Sequence, residues 1–327
     1  EIKGKGISVK ALDAKFHGQI SNVTYNAYNY KDIHLDGEIS QKLFKGELVS
    51  KDPNADLDFN GTVNFKNKVP EMDFISTINN LRLNALNFVS SRDSGSLSSQ
   101  VFIKIKGSTV DNLSGQINFD NTIYKTKTRT FKLSSFNIDM DQANADKTIK
   151  LTTAYLNAGI KGQYQLSNLK PAFEVLLYNY YPTFFKKPVK NLKFTDDLTF
   201  KIKVKKFNTI NELFVPDLML SPETTVEGNF NTVENKLNIQ ASCSKLTYQS
   251  FSVEDLGLIL NENGNTVLAE VSGKALNVKD STLLENFNFS VNSIDKDSKF
   301  SLDWDNLKSI ANKGEVKGQL NFTSSSV

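Results

Sequence analysis

The chain has 327 residues, 39% of them hydrophobic, with a net charge of +3 and acids and bases interspersed along its length. That length allows one large or two ordinary domains with a sizeable core, and the charge balance lacks the basic stripe of a nucleic-acid-binding protein. A lone cysteine, Cys243, excludes an intrachain disulfide framework and a multi-cysteine zinc site, and no stretch approaches the roughly 20 apolar residues that span a bilayer.

The sequence opens on Glu1 with a strand-like Ile-x-Gly pattern and no leader, so a piece of a longer protein is expected, with any membrane anchor lying outside it. Gly4-Lys5-Gly6 has none of the context of a nucleotide-binding loop. His17 and His34 fall in strand-like runs, and His34, between Ile33 and Leu35, is expected on a polar face. The spacing of Leu83, Leu86 and Val89 predicts a short helix over 81–89.

Period-two alternation dominates the rest. Val101, Ile103 and Ile105 alternate with Phe102, Lys104 and Lys106, and Phe136, Ile138 and Met140 with Asn137, Asp139 and Asp141. Phe200, Ile202 and Val204 alternate with Lys201, Lys203 and Lys205, and Leu237, Ile239 and Ala241 with Asn238, Gln240 and Ser242. Such runs put apolar groups on one face and polar groups on the other, as in an antiparallel sheet wet on one side. Asp52-Pro53-Asn54, Asn263-Gly264-Asn265 and Asp295-Lys296-Asp297 mark turns. Cys243, between Ser242 and Ser244, is expected to be buried as a small apolar residue.

Between the β-like runs, Pro171 to Lys187 carries Phe173, Leu176, Leu177, Tyr180, Tyr181, Phe184 and Phe185. Pro171 suits a helix start and Pro182 a stop, which predicts an amphipathic, aromatic-rich helix packed on the sheet's apolar face, with a membrane-surface helix as the alternative. This segment divides the expected organisation into 1–170, 171–187 and 188–327.

An apolar-x-Gly-x-apolar pattern recurs at Gly37, Gly46, Gly61, Gly115, Gly162, Gly228 and Gly318. We expect each glycine on the polar face, at a bend of a sheet curled at repeated places. The irregular spacing of the copies excludes a fixed-period solenoid.

Chemistry-bearing constellations are sparse. Asp56 with Asp58 and Asp139 with Asp141 have the i, i+2 spacing of one strand face, and Asp196 adjoins Asp197. Paired acids can serve glycoside hydrolysis, but acids at alternate strand positions are more simply a solvated face. Lys201, Lys203, Lys205 and Lys206 likewise suggest a solvated face ahead of a phosphate site, and a calcium loop at Asp295 and Asp297 lacks further oxygen ligands. No catalytic, metal or cofactor site is expected, and no enzyme.

Tyr28-Asn29-Tyr30-Lys31-Asp32-Ile33-His34-Leu35-Asp36-Gly37, Phe44-Lys45-Gly46-Glu47-Leu48 and Asp52-Pro53-Asn54-Ala55-Asp56-Leu57-Asp58-Phe59-Asn60-Gly61 resemble the TamB (translocation and assembly module subunit) family in its Bacteroidota form. So do Leu151-Thr152-Thr153-Ala154, Tyr178-Asn179-Tyr180-Tyr181-Pro182, Phe214-Val215-Pro216-Asp217-Leu218, Thr225-Val226-Glu227-Gly228-Asn229-Phe230-Asn231 and Ser301-Leu302-Asp303-Trp304-Asp305-Asn306. The resemblance covers nearly the whole chain through degenerate strand patterns. It implies an AsmA-like, repeating-groove bridge: a mostly β protein with a long antiparallel curled sheet (a β-taco or open groove) and one or two short amphipathic helices. The implied role is a periplasm-spanning segment that carries phospholipid between inner and outer membranes. Its parent would be anchored in the inner membrane, and parts outside this segment would meet a BamA- or TamA-like outer-membrane β-barrel.

The acyl chains would lie on Val101, Ile103, Ile105, Ile138, Phe200, Ile202, Val204, Leu237 and Ile239. Two other roles fit the same strands: a scaffold that assembles outer-membrane β-barrels or autotransporters by β-augmentation, and a sealed β spacer or adhesin.

Overall fold

In a computed structural model of the chain, residues 2–5, 13–89, 95–143, 145–185, 193–207, 211–279 and 281–322 are described. The chain is mostly β and forms two compact units, Glu1–Asp141 with Leu151–Ala154, and Gln142–Lys150 with Tyr155–Val327. The division falls within β10 (Asp146–Thr153), upstream of the aromatic segment at which the sequence suggests it.

The first unit is an antiparallel meander of β1 (Ile2–Lys5), β2 (Asp13–Tyr25), β3 (Tyr28–Ser40), β4 (Leu43–Asp52), β5 (Ala55–Asn64), β6 (Glu71–Leu81), β7 (Ser96–Lys106), β8 (Ser114–Lys125) and β9 (Thr130–Ala143). Each strand pairs with its successor. The turns fall where the sequence places them, Asp52 and Ala55 closing the β4–β5 hairpin around Pro53-Asn54.

The second unit continues this plan through β11 (Leu156–Gln163), α1 (Leu166–Tyr180), β12 (Asp197–Val204), the single-turn α2 (Asn211–Phe214), β13 (Leu218–Leu220), β14 (Thr225–Asn231) and β15 (Lys236–Tyr248). It ends with β16 (Phe251–Asn263), β17 (Thr266–Val278), β18 (Ser281–Ile294), β19 (Asp297–Asp305) and β20 (Lys313–Asn321). β12 pairs β14, and β13 and β14 lie one after the other along β15. Every described pairing is antiparallel, and neither unit closes into a barrel.

Three expectations need correction. The expected 81–89 helix does not form: Leu81 ends β6 and the residues after it make turns, in which Leu86 N–H reaches Arg82 O at 3.1 Å and Phe88 N–H reaches Leu83 O at 2.9 Å. A short isolated helix is costly to nucleate, and a tertiary clamp wins instead. Asn87 adopts φ 61°, its amide donates to Asn26 O at 3.0 Å, and the Asn26 amide returns the bond to Asn87 O at 2.8 Å.

The aromatic helix begins at Leu166, so Pro171 sits inside it and not at its start. The N-terminal donor that a local cap would satisfy goes to a distant group, as Gln165 N–H donates to the Asp196 carboxylate at 2.7 Å. At its other end Tyr181 N–H bonds Leu177 O at 2.8 Å and Pro182 ends the helix as the sequence predicts.

The repeated glycines lie on the apolar face, not the polar one. A residue two positions from an apolar-face residue shares its face, and the register bears this out: Gly37 faces Phe16 and Gly46, and Gly61 faces Gly46 and Phe74. The reason for glycine is close approach. A Cβ on Gly37 would stand 2.9 Å from Gly46 Cα, and one on Gly46, at φ +158°, would stand 2.5 Å from Gly37 Cα. In the second unit the freed space holds rings instead, with Phe200 against Gly228, Phe287 against Gly273, Phe300 against Gly318 and Trp304 against Gly314.

Candidate functional site

The registers turn the alternation into continuous apolar rows. In the first unit one row runs from Phe16 through Gly37, Gly46, Gly61, Phe74, Ile103 and Ile117 to Ile138, crossing β2 to β9. A flanking row contains Leu35, Leu48, Phe59, Val101, Phe119 and Phe136, and the other contains Ile39, Phe44, Val63, Met72, Ile105 and Met140. The expected positions Val101, Ile103, Ile105 and Ile138 therefore share one face, with Ile103 and Ile138 joined through Ile117. Rings pack along it: Phe44 and Phe59 at 5.9 Å, Phe59 and Phe74 at 4.8 Å, Phe119 and Phe136 at 6.1 Å.

These rows are not a filled core. Val101 is buried, whereas Ile103, Ile105, Ile117 and Ile138 stay partly accessible, as do Phe44, Phe59, Phe74, Phe119 and Phe136. Enclosure is found towards one end, where Ile33, Ser50, Ser99, Thr122 and, in the 82–89 turns, Leu86 are buried. Asp52, fully buried there, accepts hydrogen bonds from Tyr28 OH (2.7 Å), Lys31 N–H (2.9 Å) and Asn54 N–H (2.8 Å), so its role is to hold the hairpin end.

The second unit repeats the arrangement. Ile160, Phe200, Gly228, Ile239, Leu260, Ala269, Val291, Phe300 and Gly318 form one row, and Ala158, Ile202, Val226, Ala241, Leu258, Val271, Phe289, Leu302 and Val316 the next. A third row on the other side contains Leu198, Phe230, Leu237, Glu262, Val267, Ser293, Ser298 and Leu320. Phe200, Ile202, Leu237 and Ile239 thus fall in adjacent rows. Val204 pairs Leu156 one step further and is buried.

Here α1 supplies a second layer, over one end only. Ala172, Tyr164, Leu198, Phe230 and Leu237 form a buried cluster, against which Leu166, Leu169, Leu176, Ile160, Phe200, Ile239 and Leu260 pack. The row through Ile202 and Leu258 lies outside this cluster and stays partly accessible, with Phe289 37% and Val316 50% exposed.

The sheet groups that fasten α1, Glu262 and Ser293, are not among the residues that the sequence pattern singles out. Tyr180 OH donates to Glu262 Oε1 at 2.9 Å, and Gly264 N–H donates to the same oxygen at 2.7 Å. Tyr181 OH and Ser293 Oγ are 3.0 Å apart, and Ser293 Oγ and Ser298 Oγ 2.6 Å. Burial pushes the Glu262 carboxyl above its usual range, against the pull of these two donors, and burial beside that carboxyl pushes the Tyr180 hydroxyl strongly up. A sequence signal existed: in Leu258, Leu260, Glu262 a carboxylate takes an apolar-phase position of β16.

The opposite faces are polar and largely paired off. Lys201 meets Glu227 and Lys203 meets Glu223, each at 2.6 Å, and Asn238 donates to Asn229 at 2.7 Å. A shallow concavity of about 550 Å³ there is lined by Lys150, Lys161, Lys201, Asn229 and Gln240 among others. His17 Nδ1 and Asp36 Oδ2 are 2.9 Å apart in the open, and His34 is also exposed. Lys51 lies 3.1 Å from Asp56 and 3.6 Å from Asp58. The hydrogen bond from Asn79, with Lys51 behind it, holds the Asp56 carboxyl below its usual range. Asp139 and Asp141 are exposed, while Asp196 is buried and its neighbour Asp197 exposed. Among the described residues no group of three or more His, Cys, Asp or Glu could hold a metal ion. Cys243 is buried, as expected, with Thr224 Oγ1 3.0 Å from its sulfur.

Comparison with protein-family models, curated proteins and solved structures finds no match for this chain.

Proposed function

We propose that this chain carries lipid acyl chains along its apolar faces, as a segment of a TamB-like bridge that moves phospholipid across the periplasm between inner and outer membranes. One observation carries the reading: apolar rows cross β2 to β9 and β11 to β20, and most of their members stay partly open to solvent. Contiguous exposed apolar surface of this extent is uncommon on a protein that binds nothing. An acyl chain suits it, because each buried methylene contributes about 0.8 kcal/mol without a directional partner. A chain sliding from Ile103 to Ile117 to Ile138 would exchange one apolar neighbour for another at nearly constant energy. Partial exposure argues against the sealed spacer, whose apolar faces would be closed.

The assembly-scaffold reading draws on a different feature. β20 has no proline, pairs β19 alone among the described strands, and leaves Val316 and Leu320 about half exposed (50% and 51%). Such an edge can accept another strand. The two readings separate on lipid: detergent-free purification followed by lipid extraction should recover phospholipid with the carrier and none with the scaffold.

A further inference from the structure

α1 occupies apolar surface that the acyl-chain reading assigns to lipid. Its Leu169, Ala172 and Leu176 lie on the strip formed by Leu198, Phe230, Leu237, Phe200, Ile239 and Leu260. That strip adjoins the open row through Ile202, Ala241 and Leu258, since each residue of one row is two positions along its strand from a residue of the other. An acyl chain on the open row therefore meets the helix at the next step along the strands.

The closed helix is held in a way that favours release. Gln165 makes no side-chain cap, Pro171 removes an internal hydrogen bond, and the helix has no acid in its first turn and no base in its last. Tyr164 OH, Asp196 Oδ2 and Glu262 Oε2 are buried without a hydrogen-bond partner among the described residues. Two of these groups adjoin the fastenings, Asp196 at the helix start and Glu262 at Tyr180. Lifting the helix would return them to water, which offsets part of the cost of uncovering the strip. At the C-terminal end two hydroxyl contacts, Tyr180 with Glu262 and Tyr181 with Ser293, form the latch.

We infer that α1 is a displaceable lid, and that the strip beneath it is a second acyl-chain subsite which lipid and helix occupy in turn. This rests on the acyl-chain reading above. With the lid closed, lipid is confined to the row through Ile202. With it open, the apolar face of the second unit is continuous from Leu198 to Ile202 along β12.

The test uses the full chain and its Tyr180→Phe/Tyr181→Phe variant, which removes both latch hydroxyls while keeping both rings. Each is incubated with phosphatidylethanolamine/phosphatidylglycerol vesicles and separated from them. Bound phospholipid per chain and hydrogen exchange of the 166–180 amides are then measured. The lid predicts several-fold faster exchange of these amides in the lipid-bound wild type, and several-fold more lipid on the variant. Lipid on both proteins in equal amount, with α1 protection unchanged by lipid, overturns the lid and leaves the carrier standing. No lipid on either protein overturns both. If the variant does not fold, the wild-type exchange comparison alone decides: lipid that leaves α1 protection unaltered refutes the lid.

Discussion

Replacing Gly46 by alanine puts the close approach of β3 and β4 to a direct test. The new methyl would stand 2.5 Å from Gly37 Cα and press on Asp36 O, about 1 Å short of ordinary contact, with backbone and not a flexible side chain in the way. Forcing an extra methyl into a packed site costs about 1–3 kcal/mol, and holding a non-glycine residue at φ +158° adds about 1 kcal/mol, so Gly46→Ala should destabilise the first unit by about 2–4 kcal/mol. Gly159→Ala is the control. Its Cβ would have only Ile149 O within reach, at 3.8 Å. Relief of unfolded-state entropy should leave it neutral or stabilised by up to about 1 kcal/mol. Hydrogen exchange under increasing urea reads the local stability of each variant, at the β3–β5 amides for Gly46→Ala and at the β11–β12 amides for Gly159→Ala. If Gly46→Ala lies within about 0.5 kcal/mol of wild type, the usual spread for a harmless surface change, the close-approach argument fails.

Two further outcomes follow from the second unit. The Glu262 carboxyl is raised in the folded state, so the stability it contributes is present below the ordinary glutamate range and is lost as pH rises through the folded value. Glu262→Gln keeps an acceptor for Tyr180 and Gly264 but removes the titration, so the decline in unfolding free energy as pH rises above the ordinary glutamate range should shrink; an identical decline in both proteins contradicts the assignment. Leu237→Ala, at a position 3% exposed beneath α1, should cost about 2–4 kcal/mol, and Ile138→Ala on the open face clearly less. Equal costs in urea titrations would mean that the Ile138 face is covered after all.

Much of the fold was legible because strand alternation is a local property. The runs at Val101–Ile105, Phe200–Val204 and Leu237–Ala241 are strands with the expected faces, and Asp52-Pro53-Asn54 turns as its residue types dictate. What was missed depended on partners far away in the chain. Nothing local announces that Asp196 will receive Gln165 N–H, and so the helix starts earlier than Pro171 suggests. The clamp between Asn26 and Asn87 likewise overrides the helical spacing of Leu83, Leu86 and Val89. The glycine faces could have been settled from the sequence alone, since Leu35, Gly37 and Ile39 are two apart. Which rows α1 covers could not, because that depends on the register joining Leu198, Phe230 and Leu237 across three strands.

The lipid content of the chain, purified without detergent from a Gram-negative host and examined by native mass spectrometry, decides whether its apolar faces carry acyl chains. The acyl-chain reading predicts phospholipid bound to wild type, lost from a folded Ile103→Glu/Ile202→Glu variant and kept by Gln116→Glu/Gln319→Glu on the polar faces. A folded wild-type chain free of lipid, or lipid retained when Ile103 and Ile202 carry charge, would contradict it.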